Sequence, residues 1–410
     1  LNWKGHLAQF LTFTVAPAAG LLAAWIGLRH PAVGRLGARA FRRVTAGLWL
    51  LTRVGTFLVV FPLMGYAGGY DLTEVWTPIA RAVLTGADPT PFVDNLYGPL
   101  FPHVLALGLS AGAGRYAPAI DLPFLVADAL SVLLLRIARR HLPEESARRV
   151  ALFYLLCPVL WHGLVVRTQE EPLFVLFLLA TFDLLDRRHL LSGCAVAALG
   201  TLFTKALFPL WVLPVLLAPG GGLRRCLGRV LLAGGLTVGG LLAAMAAGWD
   251  AAARLHPTLG VRGSSSWLLL FGESPSRQVF LAGLALTAIG CIAAAAAALT
   301  VRPGEGPADR AARGTVTVQA AFFLLSPFAL PPHLVHALPF LAWQAVREGA
   351  GRRAATAGAL LYAATLCLWQ YPALRVNSEI WSGLPMMIAL FLLWNAWSGA
   401  RALRVRWSPT

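Results

Sequence analysis

Asp71 stands at the end of a long apolar stretch, in GGYDLTEVW, and Glu74, Asp88 and Asp94 follow in the same polar segment. A carboxylate at the edge of a bilayer-crossing stretch is placed to act as a general base on a lipid-borne substrate. Asp-Leu-Thr-Glu also matches a helix capping box, with Glu74 at the third helical position. Both readings of Asp71 stand at this stage. Lys205, in TLFTKALFPLWVLP, lies inside an apolar run. A lysine in hydrocarbon costs about 3 kcal/mol on insertion scales, so it calls for a partner. A bound phosphate or a carboxylate such as Asp183 would serve, or the side chain snorkels to the surface. Arg167, Glu170 and Glu171 precede Pro172. That order places the acids in the first turn of a helix, where its dipole favours them. It leaves Arg167 without an assignment.

Two further groups carry chemistry. His256, Arg262 and Trp267, in RLHPTLGVRGSSSWLLL, suit a lipid-phosphate site. The cations would hold the phosphate and the aromatic ring would sit at headgroup depth. An outer loop with one anchoring Trp fits the same residues. His333 and His336, in SPFALPPHLVHALPF, are three apart and can share a helix face. Two His with no third ligand do not make a metal site. Arg53 and Asp128 are lone charges within apolar runs, and pairing across helices is the expectation for them.

The elements that position these groups follow from composition. The 410 residues are 58% hydrophobic and only 13% charged, with mean hydropathy +0.68. Soluble domains carry about 25% charged residues. Apolar stretches of about 20 residues recur, long enough to cross a bilayer core. An outer-membrane barrel would show short alternating segments instead. The chain therefore reads as an all-α polytopic membrane protein forming a single domain, residues 1–410.

The net charge of +16 does not indicate nucleic acid, because the membrane pattern organises it. Of 34 Lys and Arg, 24 fall in seven clusters between apolar stretches, among them Arg39, Arg42 and Arg43, Arg139 and Arg140, and Arg187 and Arg188. The positive-inside rule places those loops in the cytoplasm. The five cysteines are scattered, with neither metal spacing nor a disulfide framework. The first apolar stretch, 7–28, ends in a basic loop rather than a small-residue cleavage site, which predicts a retained span.

Fixing the basic loops inside sets the topology. Span 44–67 carries Asp71 to the outer face, and 68–97 becomes the first outer loop. Within it Thr77-Pro78 predicts a helix start and Gly86 its end, giving a short surface helix over 78–86. Residues 98–113 read as a helix that dips into or lies along the interface, and 117–136 as a full span. Spans 150–166 and 172–185 flank the Arg167–Glu171 turn, and 190–218 is a bent hairpin around Lys205. Span 230–247, outer loop 248–276, span 278–301, a hairpin over 316–346 broken at Pro331-Pro332, and spans 354–370 and 380–398 complete the chain. GGGLRR near 220 reads as a cytoplasmic turn. The total is roughly eleven to thirteen membrane-embedded helices.

In order, these segments resemble the GT-C superfamily of polyprenyl-phosphate-dependent glycosyltransferases. They are most similar to the bacterial phosphatidylinositol-mannoside mannosyltransferases and to the transferase of the first mannose of GPI anchors. Those families carry an essential Asp in the first outer loop, then A-L-x-G-x-D-P-[YF] and Y-x-Y-x-P-L elements. Here Asp71 is followed by AVLTGADPTPF and LYGPLFPHVLAL. VADALSVLLLR, RTQEEP, KALFPLWVLP and LLSPFALPPHLVHALPF resemble the later elements, and the likeness runs through most of 45–345. The Gly of the family's R-G-N element is absent, and its adjacent His pair is split here.

The resemblance implies a GT-C-like fold with interfacial helices in the first outer loop. It implies an inverting enzyme of a bacterial cytoplasmic membrane, active at the outer face, with a polyprenyl-phosphate sugar, mannose foremost, as donor and a lipid or glycan as acceptor. Asp71, with Glu74, would supply the base. Arg262, His256, Lys205 and Arg167 would hold the donor phosphate. Tyr97, Glu170, Glu171, His333, His336 and Trp267 would line the substrate site. With cations in that number no metal or other cofactor is expected, and membrane lipids are the surrounding partners. A lipid-linked-sugar flippase or secondary transporter is the competing expectation. Paired broken helices in two related halves would mark it, and no such symmetry is visible.

Overall fold

A computed structural model describes residues 15–30, 32–68, 71–87, 89, 97–167, 169–220, 222–248, 277–300, 304–326 and 331–347. All but Gly248 of the outer loop 248–276, with His256, Arg262 and Trp267, lies outside the described residues, as do the two C-terminal spans, Asp88 and Asp94. Among the described residues nearly all the chain is helical and no strand forms.

The helices are α1 Ala16–Arg29, α2 Ala38–Leu63, α3 Thr77–Leu84, α4 Phe101–Ala111, α5 Leu122–Leu134, α6 Glu144–Leu156, α7 Pro158–Arg167 and α8 Glu171–Asp186. They continue with α9 Leu190–Phe203, α10 Phe208–Leu217, α11 Gly222–Ala246, α12 Arg277–Ala295, α13 Pro307–Leu325 and α14 Leu338–Arg347. Among the described residues three helical segments are long and apolar enough to cross a membrane: 38–63, 144–166 and 222–246. The middle one is α6 and α7 run together across Cys157, where Pro158 interrupts the ladder.

Helix α8 is the centre. Its sequence, EPLFVLFLLATFDLLD, is apolar on every face, and a helix apolar all round must be enclosed. It packs on α5, α9 and α10 and on the 3-10 turn Pro331–Ala337. Phe174, Leu178, Phe182 and their neighbours are buried there. By contrast α2 and α11 turn Leu51, Leu63, Leu231 and Leu242 outward. An apolar exterior on the longest helices is what a lipid surround tolerates and water does not.

The two ends of α8 differ in charge. Its 16 residues span about 24 Å. At the C-terminal end Arg140 meets Asp183 at 2.6 Å and Asp186 at 3.2 Å, His141 meets Asp186 at 3.0 Å, and Arg187 meets Asp183 at 3.1 Å. His141 also lies 5.9 Å from Trp343, whose indole donates to Asp309, and so brings the end of α14 to this basic side. The N-terminal end carries Glu170 and Glu171. The basic stretches around 140 and 187 therefore do share one end, and the acidic turn occupies the other.

Within α2, a wide helical turn over Leu50–Gly55 presents Arg53 to the interior. Its Nε lies 2.8 Å from Asp128 of α5, and both side chains are fully buried. The expected pairing of these two lone charges is what forms. Trp49 adds a second donor to Asp128 at 2.7 Å, and Arg53 also donates to Thr52 at 2.8 Å and to the Leu155 carbonyl.

Three expected boundaries move. The surface helix does not begin at Thr77: a wide turn over Asp71–Trp76 runs directly into α3. Pro78 has no N–H to give, and the Thr77 hydroxyl instead reaches back to the Leu72 carbonyl at 2.6 Å, so the chain stays helical through the expected cap. GGGLRR is a turn only as far as Gly220, since Arg224 and Arg225 belong to α11. Arg229, one turn on, donates to the Leu216 carbonyl at 2.6 Å and the Gly220 carbonyl at 2.9 Å, placing a cation at the C-terminal end of α10. The last hairpin starts at Pro307 rather than near 316, because Asp309 reaches back to the Gly306 amide at 3.0 Å and caps the helix early.

Candidate functional site

The bent hairpin around Lys205 forms as expected, with α9 ending at Phe203 and α10 starting at Phe208. The break frees backbone groups, and the end of the first loop takes them up. The Gly98 amide donates to the Thr204 carbonyl at 2.7 Å and the Leu100 amide to the Leu202 carbonyl at 2.9 Å. Tyr97 and Lys205 thereby pair as an isolated antiparallel bridge. Gly98 is needed at this contact: a Cβ there would stand 2.3 Å from the Leu202 and Thr201 carbonyl oxygens. A glycine one residue from Tyr97 thus sets where the loop docks.

The side chains follow from this docking. Tyr97 stacks on Phe101 at 4.1 Å, and the Lys205 ammonium lies 5.9 Å from the Tyr97 ring centroid. The ammonium sits 2.5 Å from Glu170 Oε1 and 3.2 Å from Glu171 Oε1, with both carboxylates all but fully buried. Asp183, the partner considered from sequence, lies twelve residues further along α8, about 18 Å away, and is taken by Arg140 and Arg187. Lys205 is not a snorkelling side chain; it points inward, to the α8 N-terminus.

Asp71 completes the group. Gln169, on the short connection between α7 and α8, donates from Nε2 to Asp71 Oδ2 at 3.0 Å. Burial, and the negative charges of Glu170, Asp71 and Glu171, push the Tyr97 phenol well above its ordinary value. Tyr97 therefore stays protonated. Asp71, Glu170 and Glu171 gather here with the Lys205 ammonium.

His333 and His336 lie beside the same end of α8. The turn that carries them is a 3-10 helix, in which positions three apart eclipse, so the rings stack, with centroids 5.6 Å apart. His336 also stacks on Phe174 at 3.8 Å and meets Trp211 at 4.9 Å. Both His336 ring nitrogens are buried, with no hydrogen-bond partner among the described residues.

Of the residues expected to form a site, Asp71, Tyr97, Glu170, Glu171 and Lys205 come together, with His333 and His336 adjoining. Glu74 shares the Asp71 turn but faces outward. Arg167 closes α7 two residues before Gln169. His256, Arg262 and Trp267 lie outside the described residues. Gln169, within RTQEEP, is a site residue that its type alone does not mark as functional. Its place between Arg167 and Glu170 was the available signal. Among the described residues no group of three or more His, Cys, Asp or Glu could hold a metal ion.

Comparison with known families finds no family model that matches the chain, and comparison with curated proteins finds no match.

Proposed function

We propose that the chain is a polytopic glycosyltransferase of a bacterial cytoplasmic membrane. It transfers a sugar, mannose foremost, from a polyprenyl-monophosphate donor to a lipid or glycan acceptor at the outer face, with inversion. The observation that carries the reading is the convergence of four distant segments. Asp71, Tyr97, the Gln169–Glu171 turn and Lys205 meet at the end of α8 opposite the arginine-rich end. The order of motifs resembling the GT-C families supports the chemistry assigned to that point.

In this reading Asp71 removes the proton from an acceptor hydroxyl, which is a poor nucleophile without a base. The oxygen forms its bond to the anomeric carbon while the bond to the phosphate oxygen breaks, and polyprenyl phosphate leaves with the electron pair. Positive charge near that phosphate lowers the barrier. Lys205 is already balanced by Glu170 and Glu171. The phosphate therefore falls mainly to Arg262, His256 and Arg167, and Lys205 acts by organising the carboxylates. His333 and His336, with Trp267, complete the substrate walls.

The purified protein is expected to convert radiolabelled polyprenyl-phosphate mannose and membrane lipids into mannosylated lipid, at a rate that EDTA does not lower. No product from that donor or from a panel of other polyprenyl-phosphate sugars would overturn the reading. Loss with EDTA and recovery with Mg²⁺ or Mn²⁺ would overturn the metal-free mechanism alone.

A further inference from the structure

Gln169 joins Asp71 to the Glu170–Glu171–Lys205 cluster. Its Nε2 lies 3.0 Å from Asp71 Oδ2. A hydrogen bond to an ionised acceptor is among the stronger ones, and it fixes direction as well as distance. Gln169 is itself held on both sides. Upstream, α7 runs to Arg167, so only residues 168–170 join it to α8. Downstream, Glu170 takes the N-cap position of α8, where its carbonyl accepts from the Leu173 amide at 2.9 Å. Lys205 then clamps Glu170 and Glu171 from the facing hairpin break, and the Tyr97–Lys205 bridge anchors that break in turn. The amide is thus carried on a short connection pinned from two other segments.

Asp71 is supported differently. It opens the helical turn Asp71–Trp76 that runs into α3. A base must be held within a few tenths of an ångström and a few degrees of its working geometry to be effective. We propose that Gln169 is the positioning residue for Asp71: its amide N–H holds Oδ2 and so sets the direction in which the carboxylate meets the acceptor hydroxyl. This rests on Asp71 being the base of the transfer proposed above. Lys205 acts one step behind, by fixing the connection that carries Gln169.

A positioning role and a packing role predict opposite orders for two substitutions. Gln169→Glu keeps shape and volume but replaces the donor with a carboxylate facing a carboxylate. Gln169→Ala removes the side chain without adding charge. If Gln169 serves only to fill space, the isosteric Glu is the milder change. If its N–H orients Asp71, Glu is the more harmful one, because like charges repel at this distance.

The experiment is mannosyl transfer from polyprenyl-phosphate mannose to native membrane lipids. It uses purified full-length wild type, Gln169→Ala and Gln169→Glu, with thermal unfolding recorded on each preparation. The expected result for Gln169→Ala is a kcat lower by about ten- to a hundredfold, the scale of one hydrogen bond to a charged group, with KM within about twofold. Gln169→Glu falls below Gln169→Ala. Should Gln169→Glu fail to fold, the split between kcat and KM in Gln169→Ala decides alone. A rise in KM with kcat unchanged, or Gln169→Glu as active as Gln169→Ala or more so, overturns the proposal while wild-type transfer leaves the function standing. Wild type without transfer removes the base assignment and this proposal with it, and that failure is read on the unmutated protein.

Discussion

Lys205 is the residue whose role changes most between sequence and structure. As a lone lysine in an apolar run it invites a phosphate, yet its ammonium is matched to Glu170 and Glu171. Breaking a buried pair by removing one partner is costly, because the other charge stays behind in a poor solvent. Lys205→Met strands two buried carboxylates and is expected to destabilise the protein by about 3–5 kcal/mol. Adding Glu171→Gln should recover part of the loss. Thermal unfolding of the detergent-solubilised variants checks this. An unfolding temperature unchanged in Lys205→Met would mean that the lysine is free to serve a ligand. The sequence showed that Lys205 needed a partner but left a phosphate, a carboxylate such as Asp183 and snorkelling all open. Asp183 and Glu171 are equally near in hydropathy pattern, and only the direction of α8 separates them by about 18 Å.

At the scale of elements, the site depends on two interruptions. One is the break between α9 and α10, which exposes the carbonyls of Leu202 and Thr204. The other is the end of the first loop, which binds them through Gly98 and Leu100. Gly98→Ala would place a methyl group 2.3 Å from two carbonyl oxygens, so the bridge must open. The expected cost is on the order of 2 kcal/mol, with a fall in transfer larger than that of any exposed substitution in the same loop. Unfolding and transfer measured on one preparation test it, and a variant as stable and active as wild type would show that the bridge does not position the site. The bent hairpin was legible in the sequence because Lys205 and the prolines at 209 and 214 interrupt an otherwise uniform apolar run. The docking of Gly98 was not, since a contact between residues about a hundred positions apart leaves no local pattern. A helix from Asp71 was offered only by the capping-box reading of Asp-Leu-Thr-Glu: Thr77-Pro78 looks like a separate helix start, and the Thr77 hydroxyl bond to Leu72 shows that the helix continues through it.

For the whole molecule, the Glu170–Glu171–Lys205 cluster and the arginine-rich side lie at opposite ends of α8. Spacing and hydropathy made the all-helical class and the segregation of charge legible, because apolar length and basic clustering are both local properties of the chain. Which helices lie at the centre was less so: α8 and α11 are both apolar, yet α8 is enclosed and α11 faces outward. Orientation is open to direct measurement. In intact cells a cysteine replacing Glu74, which is exposed, is expected to react with a membrane-impermeant maleimide. A cysteine replacing Arg139 at the other end should react only after permeabilisation. The reverse pattern would put the site on the cytoplasmic face and exclude an outer-face transferase. The most direct measurement compares mannosyl transfer by purified wild type and Asp71→Asn from polyprenyl-phosphate mannose to membrane lipids, with donor binding followed in parallel. Product is expected with wild type, none with Asp71→Asn, and donor bound equally by both. Asp71→Asn that transfers at the wild-type rate would contradict it, because the fold would then have gathered the site around a carboxylate the chemistry does not use.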